Sequence, residues 1–200
     1  MPSVASALGL ASTSTDDASG GTGARTVRVV GLNASYDLAT EDVTLNGTTK
    51  VTTSSTFIAI NGLYVLTAGS GGANAGHVYV ADDGDTFTAG VPTAPYLLLE
   101  AGWNIAAPSI YTVPDGFQLA LTELDVSGDN GKTVSIRLEV HNSTQLWERR
   151  FEMHVGSGNG RFMLSEPIAG ARERMRLRGL VNTGTGQAMV QIHGVLVADE

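Results

Sequence analysis

The sequence predicts an all-β protein, a β-sandwich or jelly-roll-like arrangement of antiparallel strands with an extended N-terminal arm. Three observations carry that expectation. Short segments alternate apolar and polar residues with a period of two, which sends successive side chains to opposite faces of a sheet. The 25 glycines fall largely between those segments, where tight reversals need them. No stretch repeats apolar residues convincingly at helical spacing, so about ten to thirteen strands account for the chain.

Lys132 to His141 is the clearest strand, with Val134, Ile136, Leu138 and Val140 on one face and Ser135, Arg137, Glu139 and His141 on the other. Gln118 to Ser127 precedes it, and the Ser127-Gly128-Asp129-Asn130-Gly131 turn predicts that the two form a hairpin within Gly116 to His141. Upstream, Thr26 to Val30 and Thr40 to Leu45 pair as a hairpin. Phe57 to Ile60 and Leu63 to Thr67 flank Asn61-Gly62, as a hairpin or as one bulged strand. Val51 to Thr53, His77 to Ala81, Tyr96 to Glu100, Ile110 to Val113, Leu146 to Val155, Arg161 to Leu164, Arg172 to Leu180 and Gln187 to Ala198 complete the set. The prolines of Val91-Pro92-Thr93-Ala94-Pro95 cannot donate to a ladder. They predict a boundary between a β-rich lobe over 25–95 and a sandwich lobe over 96–200, the two forming separate lobes or one continuous domain.

Residues 1–24 are mostly Ser, Ala, Thr, Gly and Asp, with too little apolar area to offset the entropy of ordering them. They predict a flexible tail, or an arm that orders across a neighbouring subunit. The start lacks the basic residues of a secretory signal, and no stretch approaches the roughly 18 consecutive apolar residues of a membrane span. A soluble protein made in the cytoplasm is expected, with no membrane partner.

The formal charge is −8, a poor match to phosphate backbones, so no nucleic-acid partner is expected. The charge is uneven. Up to Glu100 there are three Lys or Arg against nine Asp or Glu, and beyond it nine against eleven. Arg172, Arg174, Arg176 and Arg178 recur every second residue, so on a strand all four share a face. That stripe is a solvated face balanced by Glu148, Glu152 or Glu166, or an interface with an acidic neighbour, for which the planar guanidinium is well shaped.

Other constellations carry less. Asp82-Asp83-Gly84-Asp85 offers oxygens to Ca²⁺ but lacks the distal Glu of an EF-hand loop, so a solvated turn is the better reading. His77, His141, His154 and His193 fall on different strands without zinc-ligand spacing. The chain has no cysteine, hence no thiol nucleophile or disulfide. Gly69-Ser70-Gly71-Gly72 and Gly156-Ser157-Gly158-Asn159-Gly160 lack the Lys-Ser/Thr ending of a phosphate loop. The sequons at Asn33, Asn46 and Asn142 read as turn sequences.

Several stretches also occur in a familiar order: DDASGGTGARTV over 16–27, Val30 to Tyr36, Glu41 to Thr49, Leu63 to Gly72, Ile110 to Gly116 and the closing Gly194-Val195-Leu196-Val197. In that order the chain resembles virion structural proteins of tailed bacteriophages over nearly all of its length after residue 24. The resemblance implies an all-β fold, no catalytic residues and no cofactor. The favoured station is a capsid cement or decoration protein on the capsid exterior, binding the major capsid protein and itself, as a homotrimer. Asp16, Asp17 and Arg25 at the arm, with Arg172, Arg174, Arg176 and Arg178, are the candidate interface residues. A tail, neck or head-fibre component is the alternative station. A carbohydrate-binding module, with Trp103 as its aromatic platform, is the alternative of another class.

Overall fold

The computed structural model describes residues 2–128, 133–141, 146–155, 158–163, 167–181 and 188–199. They are all-β with antiparallel ladders throughout, and they contain no helix. The chain divides into two compact units, Met1–Pro108 and Ser109–Glu200.

The first unit holds β1 (Leu8–Ser12), β2 (Ala24–Leu32), β3 (Leu38–Thr44), β4 (Val51–Thr52), β5 (Ala59–Ala68), β6 (Val78–Asp82), β7 (Phe87–Thr88), β8 (Val91–Pro92), β9 (Leu97–Leu99) and β10 (Ile105–Ala106). One sheet has the order β4-β1-β6-β9, a second β10-β5-β2-β3, and β7 pairs with β8. The two larger sheets share one buried cluster. Leu8, Leu10, Val78, Val80, Leu97 and Leu99 come from the first; Val27, Val29, Val43, Ile60 and Leu63 come from the second.

The N-terminal segment is the largest departure from expectation. Far from a flexible arm, residues 8–12 form a strand buried along its whole length between β4 and β6. Leu8 and Leu10 face the core, while the opposite side at Gly9 is roofed by Lys50 and Phe87. A Cβ at Gly9 would lie 2.9 Å from Lys50 Cδ and 3.0 Å from Phe87 Cε2, so the missing side chain is what admits this cover. Small residues let other groups approach closely, and that burial replaces the bulk the segment lacks.

The lobe boundary also falls later than the prolines suggest. Leu97–Leu99 completes the first sheet against β6, and Ile105–Ala106 pairs with β5, so both stay in the first unit. Pro92 sits in the small β7-β8 ladder, where a missing donor is tolerated. As expected, β2 and β3 are hairpin partners; of the two readings of 57–67 the single strand holds, as Ala59–Ala68 with register shifts against β2, and the hairpin does not.

The second unit holds β11 (Ile110–Thr112), β12 (Phe117–Gly128), β13 (Val134–His141), β14 (Trp147–Val155), β15 (Gly158–Met163), β16 (Pro167–Ala169), β17 (Arg174–Val181) and β18 (Ala188–Ala198). One sheet has the order β11-β17-β13-β14. In the other, β12 carries β18 along one edge and β15 and β16, end to end, along the other.

The expected hairpin of β12 with β13 does not form: each strand takes its ladder partners from a different sheet. Their apolar faces meet across the core instead, Leu119 and Leu121 clustering with Leu138 and Val140, and Leu124 and Val126 with Val134 and Ile136. Both strands are apolar on one face only, and facing pairs of sheets bury those faces better than edge-to-edge pairing would.

A cationic sheet face as candidate functional site

The outer face of the β11-β17-β13-β14 sheet gathers half of the chain's ten arginines. The core takes Met175 and Leu177 of β17 and Val134, Ile136, Leu138 and Val140 of β13. The alternate residues must then point outward. Cross-strand register sets Arg174 opposite His141, Arg176 opposite Glu139, and Arg178 opposite Arg137. On the far side of β13, Trp147 stands opposite His141, Arg149 opposite Glu139, and Glu152 opposite Arg137. A bulge at Arg150, between those last two pairs, keeps Arg149 and Glu152 on one face.

Ion pairs knit this face together. Arg176 Nε donates to Glu139 Oε2 at 2.7 Å, and Arg178 Nη1 lies 3.9 Å from the other oxygen of that carboxylate. Glu139 is only 8% exposed, held beneath its arginines. Arg137 Nε donates to Glu152 at 2.9 Å and Arg149 donates to the second oxygen. The Arg137 hydrogen bond, with Arg149 beside it, holds the Glu152 carboxyl below the usual range despite some desolvation. The Arg176 guanidinium stacks 3.8 Å over the Trp147 ring, whose edge meets His141.

The face is not neutral. Five arginines (137, 149, 174, 176, 178) stand with two glutamates (139, 152), an excess of three positive charges in a chain of net charge −8. Arg174 makes no ion pair among the described residues, and Arg178 is engaged only at long range. Both remain available to an external carboxylate.

Arg172, expected as the fourth member of the stripe, lies outside it. It sits before the strand with φ of 63° and forks onto Asp115, with Nε and Nη2 each 2.8 Å from a carboxylate oxygen. That bond holds the Asp115 carboxyl low. Glu173 accepts from the Gly170 amide across the same turn, so ladder pairing with β13 starts only at Arg174.

The N-terminal candidates have internal roles. Asp17 is 0% exposed and accepts from Ser12 Oγ at 2.5 Å and from the amides of Ala24, Ala75 and Gly76 at 2.7, 2.8 and 2.9 Å. Four donors converge on one carboxylate, and none is cationic. The Asp16 carbonyl accepts from Gly23, and Arg25 Nε donates to the Gly21 carbonyl. These residues tie 12–25 to the 74–76 turn. Gly69 and Gly71 donate backbone bonds to Gly23 and Thr22, so that glycine run closes the same tie.

Asp82, Asp83 and Asp85 have protein donors. Asp82 accepts from Ser6 Oγ and the Gly84 amide, Asp83 from Thr52 and Lys50, and Asp85 from the amides of Ala94 and Thr86. Each carboxyl is thereby held low, chiefly by Ser6, Thr52 and Ala94 respectively. Their oxygens serve the turn.

One group among the described residues has metal-ligand proximity, and it is not the one the sequence suggested. Glu123 and Asp125 of β12 and His193 of β18 bring one ligand atom each within 4.8 Å of one another. Register puts His193 directly opposite Glu123, two residues from Asp125. A bulge at Thr122 turns Glu123 and Asp125 outward, a feature no spacing rule reveals.

Of the other histidines, His77 Nδ1 accepts from the Ala101 amide, and His154 Nδ1 shares a hydrogen bond of 2.7 Å with Ser135 Oγ. Ser135 is 5% exposed. Trp103 is 65% exposed in the turn before β10. The 156–157 part of the second glycine run and the sequon at Asn142 lie outside the described residues.

Comparison with family models, with curated proteins and with solved structures returns no match.

Proposed function

We propose that this chain is a structural protein of a tailed-bacteriophage virion, a capsid cement or decoration protein that binds across subunits of the major capsid protein. The cationic sheet face is the observation that supports a docking role. A surplus of three arginines on a rigid ladder suits a carboxylate-bearing surface, while the net negative charge elsewhere disfavours nucleic acid. Within this reading each unit is a β-sandwich. Sheet neighbours far apart in sequence, as in β4-β1-β6-β9, favour crossovers of jelly-roll kind.

The mechanism is binding. A protein that bridges seams between shell subunits stabilises the assembled state by linkage, in proportion to its affinity for that state. Arg174 and Arg178 supply charge steering and forked hydrogen bonds, and Arg176, pinned by Glu139 and Trp147, keeps the stripe extended. The working surface is this face alone, since the N-terminal segment is part of a core.

The test is occupancy on purified particles. Replacing Arg174 and Arg178 together by Glu is expected to cut the copies retained by about tenfold or more, with the remaining binding strongly salt-dependent. Unchanged occupancy would sink the docking face. Hundreds of copies per particle fit a cement role, and six or twelve fit the neck or tail. The exposure of Trp103 favours a second reading, a carbohydrate-binding module, which a glycan array negative for every sugar would remove.

A further inference from the structure

The second unit presents an edge that matches itself. Among the described residues β18 pairs with β12 alone, so its other side offers a row of backbone donors and acceptors. Natural edges are usually blunted by Lys, Pro or inward charges. Val190 to Ala198 contains no Lys, Arg, Asp, Glu or Pro. Its outward-facing valines, Val195 and Val197, are 51% and 48% exposed.

The pattern on that outer face selects the occupant. His193, Val195, Val197 and Asp199 are all exposed. Asp199 continues the line, because its amide donates to the Gly116 carbonyl and its carboxylate accepts from Gln118. Read backwards, His-Val-Val-Asp becomes Asp-Val-Val-His. Two copies laid antiparallel with Leu196 on the two-fold axis therefore set Val195 against Val197 of the other copy, and His193 against its Asp199. On the opposite face Leu196 meets its own copy and Gly194 meets Ala198, so no bulky pair collides. A foreign strand would need this order by chance; a second copy has it by symmetry.

We propose that β18 is a homodimerisation edge, pairing antiparallel about Leu196 to continue the β12-β18 sheet into a second copy of this chain. The surface is separate from the arginine face, and the inference does not depend on the virion reading. Seven facing residues a side are far fewer than the roughly 20–30 a side of a standard interface, so the dimer is on the order of micromolar.

Sedimentation of the full chain over about two decades of concentration around that value tests this, a monomer–dimer transition being the expected result. Val195→Lys and Asp199→Lys change exposed positions and should each weaken the dimer about tenfold or more, with the circular dichroism of the fold retained. Register is tested by crosslinking, which the absence of native cysteine keeps clean. Val195→Cys mixed with Val197→Cys should give a disulfide-linked pair, while either variant alone should not. A monomer throughout the range, a trimer without the mixed crosslink, or a crosslink formed by one variant alone would overturn the proposal.

Discussion

Two carboxylates, Asp17 in the first unit and Glu139 in the second, are both withdrawn from solvent, but by opposite means. Asp17 is neutralised by no cation. One hydroxyl and three backbone amides surround it, from the start of β2 at Ala24 and from the 75–76 turn. Glu139 lies under arginines, one bonded at 2.7 Å and another near, in a ladder whose outer edge is open to water. The first arrangement leaves nothing to offer outside: every donor is spent on holding loops together. The second leaves surplus cationic heads at the surface. A buried carboxylate met by neutral donors thus marks architecture, and one met by more guanidinium groups than it can satisfy marks a face able to accept a further anion.

The sharpest way to break this contrast is at Asp17. Asp17→Ala leaves three amides, two of them buried, without their acceptor and should cost about 3–5 kcal/mol, read as a lower urea midpoint. Glu139→Gln is expected to cost less, about 1–3 kcal/mol, because its arginines can turn toward water. It should also raise retention on an acidic partner, since the face gains a positive charge. Arg174→Glu with Arg178→Glu should move stability by no more than about 0.5 kcal/mol, as exposed pairs do, while removing docking. A double variant that unfolds would mean that the stripe is architecture too.

Acid should affect both units in the same direction. Asp82, Asp83 and Asp85 in the first, and Asp115 and Glu152 in the second, all have carboxyls held below their ordinary values. A depressed carboxyl contributes stability in full above the unfolded-state range, about 4, and loses it as the pH falls through the folded value. The melting temperature should therefore be flat at neutral pH and fall below about 4. The smallest effect belongs to Arg28, paired with Asp42 on an exposed stretch of ladder, where Arg28→Ala should leave the midpoint unchanged within error.

Much of the fold was legible because strand periodicity is local. Val134, Ile136, Leu138 and Val140, and Met175 with Leu177, face inward as their alternation says. The β1 strand was not legible. Leu8 and Leu10 alternate with Gly9 and Ala11 over too short a run, and the side chains that bury the segment, Lys50 and Phe87, are remote in sequence. Part of the cationic face was visible for the same reason that part was hidden. Arg174, Arg176 and Arg178 share a side by spacing alone, whereas Arg137, Arg149 and Trp147 join them through pairing of β17, β13 and β14 and through the bulge at Arg150.

The sequence by itself determined that this chain makes strands, which of their faces are apolar, and that its basic residues collect late. These follow from side-chain alternation and composition, which need no knowledge of neighbours. Only the tertiary structure decided which strands share a sheet, that the N-terminal residues belong to a core, and that three arginines become five around Glu139. Ladder partners and bulges are set by packing between distant segments, and a one-residue change in register reverses every side chain on a strand.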